Sequence, residues 1–235
     1  MLLEPMIPEI DMIDWSAVDI VLLDMDGTLL DLHFDNHFWL EYVPLRYAEA
    51  RGLPLEVAKE QLMEQYRSVE GTLDWYCVDH WSQQLGLDIV LLKQEVDHLI
   101  SVHPHVLAFL RALQQAGKSR VLVTNAHQKS LQLKLQKTRL SGYLDRVVSS
   151  HDIGLPKEKP RFWTALQEIV QFDPDRSLFV DDSLSVLRSA RQYGIAYLLG
   201  ISQPDSTQPR RDENEFTAIQ DFSALLHGLS EFSGG

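Results

Sequence analysis

Short, continuous apolar runs recur along this chain at wide intervals. The clearest are DIVLLD at 19–24, SRVLVTN at 119–125, SLFVDD at 177–182 and IAYLLGI at 195–201, with a weaker DRVVSS at 145–150. They are rich in Val, Ile and Leu and do not alternate with polar positions, which is how strands read when both faces of a sheet are covered. Between them the apolar positions take helical spacing. HPHVLAFLRALQQAG puts Val106, Phe109, Leu110 and Leu113 on one face, with Gly117 placed to end the helix. QKSLQLKLQKTRL, RFWTALQEIVQF and SLSVLRSARQYG repeat the pattern, the last followed by Gly194. Strands alternating with helices of about 10–15 residues predict βαβ units and a doubly wound parallel α/β sheet. Right-handed crossovers then place helices on both faces.

The stretch 33–102 breaks the alternation. It is long, helix-rich and contains no good strand. Pro44 and Pro54 suit helix starts, and Gly52 and Gly86 suit helix ends. Four helices are expected, near 36–50 with a break at Pro44, then 55–69, 73–85 and 89–100. The expected organisation is an α/β core formed by 15–32 and 103–230, with an all-helical module at 33–102 inserted after the first strand. SQPDSTQPRRDENE, from 202, reads as a polar loop, followed by a short helix near 219–229 and a frayed FSGG.

Composition narrows the class. Apolar residues make up 45% of 235, enough for a sizeable core and too many for a disordered chain. The formal net charge of −13 argues against polymeric nucleic acid or an anionic membrane as partner, since both call for a basic face. A small anion remains compatible, because a bound cation reverses the local sign. With one cysteine, Cys77, no intrachain disulfide can form and no Cys/His zinc spacing exists. A reducing cytoplasm is the simplest compartment. The N-terminus is acidic and interrupted by Pro5 and Pro8, unlike a signal peptide, and no apolar run is long enough to span a bilayer.

In an open parallel sheet, ligands bind at the carboxyl ends of the strands. The first strand ends in Asp24 and Asp26, the second in Thr124 and Asn125, and the fourth in Asp181 and Asp182. The weak third leads into GLPKEKP, which carries Lys157. Four carboxylates crowded at one sheet edge raise one another's pKa unless a hard dication relieves them, and Mg²⁺ uses one or two carboxylates plus water and phosphate oxygens. A carboxylate can act as nucleophile, and a second one two positions on can serve as proton donor and acceptor. Thr, Asn and Lys suit the phosphoryl oxygens, so the set fits phosphoryl transfer.

DMDGTL, LVTN, GLPKEKPRFW and FVDDS, in that order, resemble the four motifs of haloacid dehalogenase superfamily hydrolases. DNHFW and LDWYCVDHWSQQLGLD further resemble the bacterial GMP/IMP 5′-nucleotidase branch. The resemblance implies a Mg²⁺-dependent phosphomonoester hydrolase working through an aspartyl-phosphate, with Mn²⁺ as a possible substitute. Asp24 would be the nucleophile and Asp26 the general acid/base. Asp24, the Asp26 carbonyl and Asp182 would hold the metal, with Asp181 close by or acting through water. Thr124, Asn125 and Lys157 would bind the phosphoryl group. Glu158 stands where proline normally follows the lysine, and Lys159-Pro160 comes next, so Lys159 competes with Lys157; the distance from Gly154 favours Lys157. The implied partner is a purine mononucleotide. A small-metabolite phosphatase or a phosphosugar mutase would share these motifs. A phospho-accepting signalling domain would gather similar residues in a different chain order.

Each feature also has a bland reading. Asp24 and Asp26 alone suit a turn, and Thr124, Asn125 and the Asp181–Ser183 cluster suit helix caps. The aromatic residues Phe38, Trp39, Trp75, Tyr76 and Trp81 are expected to build the core of the helical module more than to stack on a base. Asp35, Asn36 and Asp79 are candidates for reading a base edge. His127 follows the second motif and lies near the expected site. His80, His98 and His151 read as structural or surface residues.

Overall fold

The computed structural model describes residues 13–211 and 215–233. Gly234 and Gly235, the end of the expected frayed tail, lie outside them. Six parallel strands form one sheet in the order β3-β2-β1-β4-β5-β6. These are β1 Ile20–Leu23, β2 Ser119–Thr124, β3 Arg146–Ser149, β4 Ser177–Asp181, β5 Tyr197–Ile201 and β6 Ala218–Ile219. β1 is central, pairing Leu23 with Leu122 of β2 on one side and with Val180 of β4 on the other. β6 has no apolar run of its own. It pairs Ala218 and Ile219 with Gly200 and Ile201 of β5, and that pairing alone makes it a strand.

The continuous apolar runs are explained by two hydrophobic layers that share alternate residues. Val21, Leu23, Leu122, Leu178 and Val180 face one layer, and Ile20, Leu22, Val121, Val123 and Phe179 face the other. The first layer is closed by α7 Val106–Gln115, by α8 Gln128–Thr138 and by α12 Ser223–Ser233. The second is closed by α10 Pro160–Val170 and α11 Leu184–Tyr193, with Phe162, Trp163, Leu166 and Leu187 fully buried. A short helix, α9 Ser150–Ile153, follows β3.

Every element between residues 33 and 99 is helical. α1 His33–His37 passes through a π turn at Phe38–Tyr42 into α2 Val43–Arg51. The break expected at Pro44 is therefore absent. Proline lacks an N–H and its ring crowds the carbonyl four residues back. The widened turn, in which the Val43 N–H donates to the Phe38 carbonyl, absorbs both effects and the chain stays helical. α3 Leu55–Val69 follows as expected. The helix expected at 73–85 is two, α4 Leu73–Tyr76 and α5 Val78–Leu85, because Cys77 is extended (φ −85°, ψ 109°). Trp81 Nε1 donates across that break to the Trp75 carbonyl at 2.9 Å. α6 Ile89–Glu95 ends in a 3₁₀ turn at Asp97–Leu99.

The two connections to this insertion run side by side. Asp31 N–H donates to the Ser101 carbonyl at 3.0 Å, and His103 N–H donates to Leu29 at 3.0 Å. The insertion has no separate core. Phe34, Phe38, Leu62, Tyr66, Trp81 and Leu92 belong to the same hydrophobic cluster as Val21, Leu23 and Phe109. Among the described residues, no helix is long and apolar enough to cross a membrane.

Candidate functional site

The strand order brings the acidic motifs together. β1 and β4 are neighbours, so Asp24 and Asp181 stand at adjacent strand ends, with Asp182 just beyond. One carboxylate oxygen from each of Asp24, Asp181 and Asp182 lies within 4.8 Å of the others. Lys157 reaches in from the loop after α9, completely buried, and its Nζ donates to Asp24 Oδ1, to Asp181 Oδ2 at 2.7 Å and to the Val123 carbonyl at 3.1 Å. Lys159 is exposed at the start of α10, so Lys157 is the lysine in the cluster.

The loop is held by Asn125. Its Oδ1 accepts from the Lys157 N–H at 3.0 Å, and its Nδ2 donates to Glu158 Oε2 at 3.1 Å. The other oxygen of Glu158 accepts from the Tyr76 hydroxyl at 2.6 Å. The residue that replaces the usual proline thus links the helical insertion to the end of β2. Thr124 Oγ1 accepts from the Ala126 N–H at 3.0 Å. The side chain that caps α8 is that of His127, not Thr124 or Asn125.

Two buried carboxylates, Asp24 and Asp181, and the half-buried Asp182 face one buried ammonium. Burial raises Asp24 to about 6 against the pull of Lys157. It raises Asp181 to about 6 against Lys157, and Asp182 to about 7, helped by Asp24 and opposed by Arg211. Burial alone would lower the Lys157 pKa, but Asp181 and Asp24 outweigh it and push it up. Asp181 is spent on Lys157 and on the Ser183 N–H, which donates at 2.8 Å. Among the described residues, the ion-pair partner of Asp182 is Arg211, at 3.3 Å, at the rim. The three carboxylates fit a hard divalent cation, which would remove their mutual repulsion.

Removing divalent cations has an expected consequence. These pKa values are raised above the 3.8 of the unfolded chain. Their contribution to stability is therefore complete below that value and lost as pH rises through about 6 to 7. In chelator, Tm is expected to fall between roughly pH 4 and pH 7, and saturating Mg²⁺ to flatten the profile. Calorimetric scans across that range check this; a flat profile in chelator would contradict it.

Gly27 makes the turn that follows. Its φ is +86°, and a Cβ there would lie 2.7 Å from Asp182 Cγ. Gly27→Ala is expected to cost about 1–2 kcal/mol for the left-handed backbone. It should also displace Asp182 and raise the Mg²⁺ concentration needed for half-saturation. Thermal melts and a Mg²⁺ titration test both effects, and unchanged values in both would refute the turn's role.

Asp26 sits two residues from Asp24 in a second ionic chain. Lys134 Nζ donates to Asp26 Oδ1 at 2.7 Å and to Asp35 Oδ2 at 2.6 Å, and Lys93 Nζ donates to Asp35 Oδ1 at 3.1 Å. Burial raises Asp26 to about 6, with Lys134 opposing. Burial also works to raise Asp35, but Lys134 and Lys93 outweigh it and bring it down to about 2. Each Asp35 oxygen is thus paired with a lysine, while the residue also lines the cavity between sheet and insertion. Sequence reading missed Lys134 and Lys93. The available signal was their position: each falls on the buried face of its helix, Lys134 beside Ser130 and Leu131, Lys93 beside Ile89 and Leu92.

The cluster opens into a cavity of about 380 Å³ between sheet and insertion, within the size range of small-molecule sites. Asp24, Asp26, Thr124, Asn125, Lys157, Asp181 and Asp182 line its floor, and Trp39, Tyr66, Trp75, Tyr76, Trp81 and Met63 line it from the insertion. The aromatic residues do both jobs. Phe38 is wholly buried and absent from the lining, while Trp39 and Trp75 are partly buried, pack on the core and also face the cavity. Tyr66 meets Trp39 and Trp81 edge to face, at 5.8 and 5.0 Å between centroids. Asn36 also lines the cavity, its amide donating to Asp205 at 2.7 Å. Asp79 lies outside, paired with Lys129 at 2.6 Å.

The profile of the haloacid dehalogenase-like hydrolases matches residues 18–194. A GMP/IMP nucleotidase of Escherichia coli K12, YrfG, is 43% identical over 217 residues, covering 92% of this chain and 98% of that protein. A probable phosphoglycolate phosphatase of Pseudomonas putida is 25% identical, covering 94% of this chain and 81% of the relative. The crystal structure of a HAD phosphatase from Thermococcus onnurineus superposes with a TM-score of 0.74 at 24% identity, covering 88% of this chain and 96% of that one.

Proposed function

This chain belongs to the haloacid dehalogenase-like hydrolase family, and we propose that it is a Mg²⁺-dependent 5′-nucleotidase that releases phosphate from IMP or GMP. One observation carries the reading: the buried Asp24–Lys157–Asp181 cluster forms the floor of a cavity whose insertion side is aromatic. Aromatic faces stack on nucleobases. The 43% identity to a protein described as a GMP/IMP nucleotidase supports the same substrate. A cytoplasmic location goes with this reading and with the single free thiol of Cys77.

The proposed chemistry follows from the placement of the groups. An Asp24 oxygen attacks phosphorus and the bond to the ester oxygen breaks. Asp26 gives its proton to that oxygen, so the nucleoside leaves neutral and an aspartyl-phosphate remains. Asp26, now ionised, takes a proton from water, whose oxygen attacks the phosphoryl group and frees Asp24 and phosphate. A pKa of about 6 lets Asp26 act in both directions near neutral pH. Lys157 and the Thr124 hydroxyl hold phosphoryl oxygens, and Asn125 fixes the loop that carries Lys157. Asp24, Asp182 and the Asp26 carbonyl would hold Mg²⁺, with Asp181 beside them; the ion would supply charge neutralisation for the phosphoryl group. The insertion 33–102 acts as a lid that excludes water and selects the leaving group.

The test is phosphate release from IMP, GMP, AMP, pyrimidine monophosphates, phosphoglycolate and sugar phosphates, each with Mg²⁺ and with chelator. Mg²⁺-dependent preference for IMP and GMP is expected. Preference for phosphoglycolate or a sugar phosphate would overturn the substrate and leave the chemistry standing. No release from any compound would overturn both.

A further inference from the structure

Three metal-ligating side chains, distant in sequence, meet where the insertion touches the sheet. Cys77 lies in the break between α4 and α5, His127 caps α8 just beyond β2, and His151 lies in α9 just beyond β3. One ligand atom from each lies within 4.8 Å of the others. The two imidazoles stand edge to face, 4.9 Å between centroids. The nucleotidase chemistry uses none of them.

Their hydrogen bonding is incomplete. His151 Nε2 is excluded from solvent and has no hydrogen-bond partner among the described residues. In the neutral tautomer that carries its proton on Nδ1, this atom presents a bare lone pair. An unpaired buried acceptor is a costly arrangement in a folded protein unless a ligand fills it. Among the described residues, the His127 ring nitrogens make two long polar contacts, with the Lys129 N–H at 3.3 Å and the Asp79 carboxylate at 3.7 Å. Ligation at either of its nitrogens gives up one weak interaction. Cys77 Sγ accepts a single 3.4 Å bond from the His80 N–H. Burial lowers the pKa of both histidines, keeping them in the neutral form that binds metal.

We propose that Cys77, His127 and His151 form a binding site for one zinc-type divalent transition ion, separate from the acidic Mg²⁺ cluster. A thiolate and two imidazoles select a borderline-soft ion, whereas hard Mg²⁺ goes to oxygen ligands. The thiol proton goes to solvent on binding, and a fourth position remains for water. The three ligands come from three elements. A bound ion therefore staples the insertion to the ends of β2 and β3, beside the Tyr76–Glu158 hydrogen bond.

The test uses the full-length protein, stripped of metal and then held in excess Mg²⁺ so that the acidic cluster is filled. Co²⁺ titration is expected to reach one ion per chain, with intense tetrahedral visible bands and a near-ultraviolet thiolate-to-cobalt charge-transfer band, both erased by one equivalent of Zn²⁺. Cys77→Ser should lose the charge-transfer band and weaken Zn²⁺ binding by at least about tenfold, already the lower range for loss of an outer-shell partner. Serine is the better helix cap, so this variant keeps α5. His151→Gln should weaken Zn²⁺ binding comparably with the thiol intact. Absence of a thiolate band, Zn²⁺ affinity unchanged in both variants, or Zn²⁺ binding lost only in Asp24→Asn would each overturn the site.

Discussion

Asp24→Asn is expected to lower kcat by at least about four orders of magnitude, the range seen when one member of a nucleophilic catalytic unit is removed. On the proposed mechanism no other group can take its place. Asp181 is pinned by Lys157 and the Ser183 N–H, and Asp182 lies at the Arg211 rim. The substitution is nearly isosteric and removes one negative charge from a cluster in which three carboxylates, two of them buried, face one ammonium. Stability in chelator near pH 8 should therefore be unchanged or higher. Loss of turnover together with an unchanged or raised Tm separates a chemical role from a structural one. Retained phosphatase activity would sink the mechanism. A collapsed Tm would show that Asp24 is mainly a structural partner of Lys157.

Lys157→Met should be the most destabilising single change in the site. It removes the only cation that bonds Asp24 and Asp181 among the described residues. Breaking a buried ion pair from one side costs about 3–5 kcal/mol, because the partner charge stays behind without compensation. The cost should depend on pH in a definite direction. Asp24 and Asp181 have pKa values of about 6 with the lysine present, and its loss can only raise them. Near pH 5 both carboxyls are protonated and the penalty is small; near pH 8 they must ionise or unfold the site, and the penalty is full. Denaturant melts of both proteins at the two pH values, in chelator, measure this. An equal loss at both would mean that Lys157 contributes packing alone. Activity should also fall steeply, since Lys157 holds phosphoryl oxygens in the proposed mechanism.

Much of this was legible in the chain. β1, β2 and β4 announce themselves because a strand buried on both faces must be apolar at every position. The helices closing the two layers carry their stripes openly. Less was legible where partners decide. β6 exists through β5. The π turn is a joint solution by a proline and its neighbours. Lys134 and Lys93 escaped notice in the sequence, because their partners Asp26 and Asp35 are brought against them only by the fold. Asp35, a candidate for reading a base edge, turns out to pair one oxygen with each of those two lysines.

The sequence by itself determined the local elements and the identity of the groups at each strand end, because helical and strand periodicity and turn chemistry act over a few residues. Which of those ends become neighbours is set by the strand order β3-β2-β1-β4. That order comes from burying two continuous layers at once and has no local code. Only the tertiary structure therefore decided that Asp24 and Asp181 share Lys157. It also decided that Glu158 reaches Tyr76, and that Cys77, His127 and His151 converge. Contacts between side chains that are far apart in sequence depend on the whole packing, and so do the charges and lone pairs they leave to be satisfied.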